Sequence, residues 1–400
     1  MKRLAFILLF VLLIALFTTG CWNRRELNTL AIQLGTGIDK IGDQYKLSVQ
    51  VVDPGEVAAA KSSSTERSPV VMYKATAPSL FEAYRTMTVN SPRKIYGSHI
   101  RVLIIGESLA RDGIDKVLDL FSRDAENRTD YYIMIARGTT AESVLKILTP
   151  LEKIPANKLF ASLDTSSKAW APTTAFTLDK LISQMVTEGQ HPVLTGVIIK
   201  GEPKLGETQT NIKQIEPSAT LTLSDLAVFK GPRLIGWLNR DESKGYNIIM
   251  DNIRSTASNI ACPNGGSITL ELLRSKTKVK GKVISGEPTI HVQVKTEANI
   301  AEVNCKLDIQ DPMTIKYLEN QAMQKTIDLM KKSVKTAQTR YNSDIFGFGQ
   351  AIYRSDPKYW STASKHWEDL FSQLQVKYKV EFFIRRTGTT GNSFVQDIKG

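Results

Sequence analysis

A multi-domain α/β (α+β) fold, with mixed β-sheets and helices packed on them, is predicted by three features of this 400-residue chain. Strand-like and helix-like runs alternate through its first half, the order that layers helices over a sheet. The second half instead gathers long strand-like runs ahead of one long amphipathic helix. The composition, 42% hydrophobic and 23% charged, is that of a globular chain able to bury cores of this kind.

The elements follow in order. Residues 30–39 and 45–52 read as two strands joined by a turn with Gly42-Asp43 near its tip, a hairpin signal. Residues 54–68, rich in Ala, Ser, Lys and Glu, read as an exposed loop. A strand at 70–75 precedes a helix over 79–89 capped by Ser79, with Phe81, Ala83, Tyr84 and Met87 on one side. A buried strand at 100–105, an amphipathic helix at 108–121, a strand at 131–136 and a helix at 141–148 continue the alternation. The pattern from 150 to 189 is helical, most clearly at 178–186, and 193–200 returns to strand. The polar stretch 201–217 carries Pro203, Gly206 and Pro217, and places the domain boundary there.

Beyond it, 221–229 and 234–238 read as a hairpin, followed by strands at 267–273, 289–296 and 299–307. Asp311-Pro312 is a helix start, an N-cap acid with proline in the first turn. Apolar residues at helical spacing from Ile315 through Val334 carry that helix to about Ala337. A second helix aligns Trp360, Ala363, Trp367, Leu370 and Leu374, and Tyr378, Val380, Phe382 and Ile384 alternate as the inward face of a last strand. From Thr387 the chain reads as a loose tail.

The N-terminus sets the compartment. Met1-Lys2-Arg3 is followed by an unbroken apolar run from Leu4 to Phe17, shorter than the ~20 residues a membrane-spanning helix needs. That is the length of a secretion signal's apolar core. Thr19-Gly20-Cys21 then fits a bacterial lipoprotein signal over residues 1–20, with Thr18 standing where leucine is commonest. Cys21 is the expected lipidation site, as a diacylglyceryl thioether with its freed amine open to acylation; the alternative is an ordinary secretory signal with an incidental cysteine. Two or three acyl chains would hold the protein firmly on the outer face of a membrane. Trp22 suits a headgroup layer, or equally packs on the first domain.

The formal charge is +12, spread along the whole length, and reads as a solvated surface drawn to anionic headgroups or wall polymers. Zinc-finger spacing, RNA-binding aromatics and a basic arm are missing, so nucleic acid is not expected as a partner. Cys262 and Cys305 remain after Cys21. Outside the cytoplasm they form one possible disulfide, or stay two separately buried thiols.

Reactive chemistry leaves no constellation. His99, His191, His291 and His366 lack the spacing of zinc ligands, and HExxH, CxxC, G-x-S-x-G and P-loop patterns are all missing. His366-Trp367-Glu368-Asp369 reads as a solvated helix flank beside a core tryptophan. Gly347-Phe348-Gly349 opens like a dinucleotide fingerprint without its third glycine, and reads as a bend where Phe346 and Phe348 pack. Trp360 and Trp367 read as core. No enzyme activity, metal or cofactor is expected beyond the covalent lipid on Cys21.

A set of ordered blocks resembles a known family. Cys21-Trp22-Asn23-Arg24-Arg25-Glu26-Leu27-Asn28 is similar to its lipidated opening, with Asn23 where Asp is more usual. Asn90-Ser91-Pro92-Arg93-Lys94-Ile95-Tyr96, then His99 and 102–106, Leu109-Ala110-Arg111-Asp112-Gly113 and Arg123-Asp124 follow. In the second half the likeness rests on Ala227-Val228-Phe229-Lys230-Gly231, Gly236-Trp237-Leu238 and Asp344-Ile345-Phe346-Gly347-Phe348-Gly349. In order and spacing these resemble the C-subunit lipoproteins of spore nutrient germinant receptors, the GerAC or Ger(x)C family. The resemblance implies an N-terminal germination-protein domain over 21–205, of one or two subdomains, and a C-terminal GerAC-like domain over 215–390. It also implies a non-enzymatic receptor subunit for nutrient-triggered germination, lipid-anchored on the outer face of the spore inner membrane. Its partners there would be an integral-membrane A subunit and a permease-like B subunit.

The main rival is the substrate-binding lipoprotein of a membrane transporter, which predicts two similar lobes around a cleft. The strand-heavy region 215–305 does not repeat the first half. An envelope hydrolase ranks third, for want of a nucleophile or metal pattern.

Overall fold

The computed structural model describes residues 29–53, 68–124, 126–263 and 265–388, with Arg3, Leu4 and Phe6. Cys21, Trp22 and most of the loop expected over 54–68 lie outside the described residues.

Strands β1 (Leu30–Ile41), β2 (Gln44–Val52), β3 (Val70–Ala77), β4 (Lys94–Tyr96), β5 (Val102–Gly106), β6 (Tyr132–Ala136), β7 (Val193–Gly201), β8 (Ala219–Lys230) and β9 (Arg233–Trp237) make one mixed sheet. Its centre, β1-β5-β6-β7, is parallel; antiparallel β2-β3 and β8-β9 flank it, and β4 pairs with the first residues of β1. The reason lies in β5, Val-Leu-Ile-Ile-Gly, buried at every position. A strand apolar on both faces belongs in the middle of a sheet covered on both sides. Leu103 and Ile105 face one core, Val102 and Ile104 the other.

Helices α1 (Leu80–Thr86), α2 (Glu107–Asp112), α3 (Asp115–Arg123), α4 (Ala141–Lys146), α5 (Pro155–Ala169) and α6 (Leu178–Val186) cover this sheet. Ser79 caps α1 by accepting the Glu82 N–H at 3.2 Å. Asp39, buried at the end of β1, accepts the N–H groups of Ala141 and Glu142 at 2.8 and 3.0 Å, where a carboxylate also favours the positive helix end. A Cβ on Gly37 would lie 3.2 Å from the Ala141 backbone, so glycine lets α4 lie close on β1.

The second sheet is β10 (Thr256–Ala261), β11 (Ser267–Ile284), β12 (Glu287–Val303) and β13 (Gln375–Arg386), antiparallel except for the parallel pair β12-β13. Helix α7 (Arg240–Ile249) precedes β10, and α8 (Pro312–Thr336), α9 (Phe348–Ser355), α10 (Pro357–Ala363) and α11 (Trp367–Gln373) run between β12 and β13. Asp311 caps α8 through the N–H groups of Met313 and Thr314, both at 3.1 Å. One apolar cluster joins the inner face of this sheet to one face of the first, from Ile38 through Tyr246 to Val292 and Trp367.

Two helices expected as single are split, one helix was not expected, and the first sheet continues past the polar stretch. The chain does not leave the first sheet at 201–217: β8 returns antiparallel on β7, and β9 extends the same sheet. The polar stretch forms two short helical turns, Pro203–Gly206 and Thr210–Lys213, tied down by Asn211, whose Nδ2 donates to the Leu148 and Ala219 carbonyls at 2.8 and 3.0 Å while its Oδ1 accepts the Ala219 N–H. Proline and glycine mark a tight return as readily as a linker. The helix expected over 108–121 is two, α2 and α3, parted at Gly113, whose φ of 145° ends a helix. The single helix through Trp360 and Trp367 is likewise α10 and α11, with a 3-10 turn between them. Finally, α7 went unread because its apolar positions are sparse, although its capping box is explicit. Asn239 Oδ1 accepts the Glu242 N–H at 3.0 Å while Glu242 accepts the Asn239 N–H at 2.7 Å.

Candidate functional site

Two constructions stand out, a joint between the sheets and a cavity beside the start of β1. The joint is the segment 341–349. The hydroxyl of Tyr341 donates to the Trp237 carbonyl at 2.7 Å and accepts the Trp237 N–H at 3.0 Å. Ser343 donates to the Phe229 carbonyl at 2.7 Å. Asp344, 3% exposed, accepts the N–H groups of Phe346 and Phe348 at 3.1 Å and of Gly349 at 2.8 Å, and the Trp367 indole N–H at 3.0 Å. Its own carbonyl accepts the His191 N–H, just before β7, at 2.8 Å.

Burial dominates the Asp344 carboxyl and pushes it up to about 6, against the four donors that favour its charged form. Phe346 and Phe348 stack with centroids 4.9 Å apart across Gly347, whose φ is 69°, so Gly-Phe-Gly is a bend around the carboxylate. Gly349 lies so close to Trp360 that a Cβ would sit 2.6 Å from its ring. Trp360 and Trp367, 5% and 6% exposed, meet edge to face as core residues. The neighbouring blocks 227–231 and 236–238 and the distant segment 341–349 thus build one joint.

The cavity, about 570 Å³, opens between α1, β4 and the end of α3. Buried Gln33 forms its floor, donating to Tyr84 Oη at 3.0 Å and to Thr36 Oγ1. Burial pushes the Tyr84 phenol up to about 12, so it acts as a neutral hydroxyl. The rim carries Phe81, Arg85 and Lys94, the last paired with Glu126 at 2.6 Å. Here the block 90–96 meets Arg123-Asp124. An amide, a phenol and paired rim charges can bind a neutral or zwitterionic group, or receive a partner's side chain; nothing in the lining is poised as a nucleophile.

The remaining candidates are scattered. His99 lies 6.1 Å from the Tyr96 ring. His191 Nδ1 accepts the Gly231 N–H at 3.2 Å, and burial lowers its basicity. His291 lies on the second sheet, and His366 precedes α11, whose Glu368 pairs with Lys230 at 2.7 Å. Among the described residues no group of three His, Cys, Asp or Glu could hold a metal, and no helix is long and apolar enough to cross a membrane. Cys262 and Cys305, Cα atoms 6.5 Å apart, form a disulfide between the start of the β10-β11 turn and the end of β12. A strong signal that sequence reading passed over is Glu142, almost fully buried, which pairs with Lys46, Lys74 and Lys146. These residues come from three segments, so no local pattern announces them.

The geometry defines a class: a two-sheet protein with a buried joint between its sheets and a cavity beside the start of β1. The description "Spore germination protein N-terminal domain" matches residues 23–199, and "Spore germination B3/GerAC like, C-terminal" matches 224–388. Spore germination protein KC of Bacillus subtilis (strain 168) is 32% identical over 100% of both chains. Spore germination protein B3 of the same organism is 26% identical over 96% of this chain and 98% of its own. A crystal structure of the GerBC protein shares the fold, with a TM-score of 0.53 over 88% of this chain and 96% of that one at 23% identity. The chain belongs to the Ger(x)C family, the C subunits of spore germinant receptors.

Proposed function

We propose that this subunit works without catalysis, held by lipid on Cys21 at the outer face of the spore inner membrane, and assembles there with an integral-membrane A subunit and a permease-like B subunit. The observation that carries this reading is the position of β1. It begins at Leu30, nine residues beyond Cys21, and its first residues pair with Lys94–Tyr96. At ~3.3–3.6 Å per residue the tether spans at most ~30 Å. The cavity and the block 90–96 therefore lie within about one tether length of the bilayer. Confinement to a plane raises the concentration seen by membrane partners, so a modest surface suffices for assembly. That surface is the first sheet's tether end, with the cavity as its receptor for a partner side chain.

The test is intact mass and membrane partition of the wild type beside Cys21→Ala, each expressed with the A and B subunits. Lipid mass on the wild type, and loss of the variant from the membrane together with germination, are the expected results. An unlipidated wild type active in solution would reverse the reading.

A further inference from the structure

The second sheet is covered on one face only. Ile290, Val292, Val294, Val380 and Phe382 point inward and are buried. The alternate residues of β11, Lys278, Lys280 and Lys282, point outward and are exposed. The register places Lys280 opposite His291 and His291 opposite Lys377; Lys278 and Lys379 flank Gln293 in the same way. Cross-strand partners share a face, so these side chains form one flat basic field. Along the strand it runs ~14 Å and across the strands ~10 Å. Among the described residues Lys278, Lys280, Lys282 and Lys377 make no ion pair; on the same face Glu381 pairs with Lys379 at 3.4 Å and Glu297 with Arg385 at 2.7 Å.

Such a field is costly to the fold, because like charges two strands apart on one face, ~10 Å, repel one another. We propose that this face is a docking surface for anionic lipid headgroups, so that the subunit meets the bilayer with its second sheet as well as its anchor; this rests on the membrane placement proposed above. Two features favour a bilayer over a protein partner. The field is mainly lysine, which protein interfaces deplete; the aromatic and the arginine on this face, Phe383 and Arg385, lie at one end of it, where Arg385 pairs with Glu297. Its chemistry is that of evenly spaced point charges, which match a fluid sheet of anions.

Position agrees with charge. The parallel strands β1 and β7 begin at the same end of the first sheet, the end from which the tether leaves. Gly189, just before β7, packs on Gly349 at the start of α9, and the Ala351 backbone of α9 packs on Gly281, between Lys280 and Lys282. A short chain of contacts thus ties β11, through its covered face at Gly281, to the tether end of the first sheet.

The test uses residues 22–400, which hold every strand and helix of both sheets and lack the lipid. Sedimentation with vesicles of phosphatidylcholine, with and without about one-third phosphatidylglycerol, reads binding. The wild type is expected to bind the anionic vesicles alone and to release in high salt. Each lysine near an anionic surface contributes about fivefold in partition, so Lys278→Gln/Lys280→Gln/Lys282→Gln/Lys377→Gln together should lose several hundredfold. A control with Lys153, Lys200, Lys204 and Lys213 all changed to Gln removes the same charge elsewhere and should lose far less. Thermal melts confirm that both variants fold. Equal losses in the two variants, binding that survives high salt, or capture by soluble poly(glycerol phosphate) but not by vesicles would each overturn the proposal. Because the protein is unlipidated here, failure leaves the Cys21 anchor untouched, and failure of the anchor shows separately in intact mass.

Discussion

Trp237 and Tyr341 hold each other through a single hydroxyl: Tyr341 Oη donates to the Trp237 carbonyl and accepts the Trp237 N–H. Trp237 ends β9 on the first sheet; Tyr341 opens the segment that leads to α9 and the second sheet. A Cβ on Gly236 would lie 2.3 Å from the Tyr341 ring, so glycine is what admits the phenol. Tyr341→Phe should therefore cost ~1–2 kcal/mol, since it strands two backbone groups. Urea unfolding of the two proteins measures this; an unchanged midpoint would remove the pair from the joint.

Asp344 gives the joint a pH signature. Its folded pKa, about 6, lies above the ordinary 3.8, so the folded state binds the extra proton. Stability from this group is smallest above pH 6 and grows as pH falls toward 4. Asp344→Asn turns an amide NH2 toward four donors, and should destabilise by ~2–3 kcal/mol at pH 7. The gap between wild type and variant should widen by ~1 kcal/mol between pH 7 and pH 5. A gap that narrows over that interval would contradict the assigned direction.

Glu142 behaves in the opposite sense. Burial is the largest single influence and raises its pKa, yet hydrogen bonds from Lys146, Lys46 and Lys74 together hold it at about 2, below the ordinary 4.5. Its contribution is complete above pH 4.5 and is lost as pH falls toward 2. The lysines are partly exposed, so solvent screening limits the effect, and Glu142→Gln should cost ~2 kcal/mol at pH 7. Unfolding followed at pH 7 and pH 3 should show the variant's deficit shrinking at the acid end.

The Cys262–Cys305 bond closes a loop of separation 43. Chain-entropy arguments give such a loop ~4 kcal/mol, and measured values run lower. Cys262→Ser/Cys305→Ser should lose ~2–4 kcal/mol, and alkylation before and after reduction should count two thiols that appear only on reduction. Two free thiols in the native protein would show that the pair is unbonded.

Much of the secondary structure was legible because it is local. The hairpin at Gly42-Asp43, the Ser79 and Asp311 caps, the buried run Val102–Gly106 and the bend at Gly347 are each set by residues within a few positions. Helix breaks were less legible: Gly113 interrupts an amphipathic pattern that continues on either side. Of the site, sequence reading found the blocks but not their meeting, since Trp237 and Tyr341 lie 104 residues apart.

The sequence by itself determined the alternation of strands and helices and the ordered blocks that mark the family. Only the tertiary structure decided that β8 and β9 belong to the first sheet and that Cys262 meets Cys305. It also decided that three lysines from a Thr-Lys-Val-Lys-Gly-Lys run join Lys377 on one exposed face. The physical reason is the same throughout. Periodicity tells a strand which face to bury, while its neighbour is chosen by pairing and packing across the whole chain.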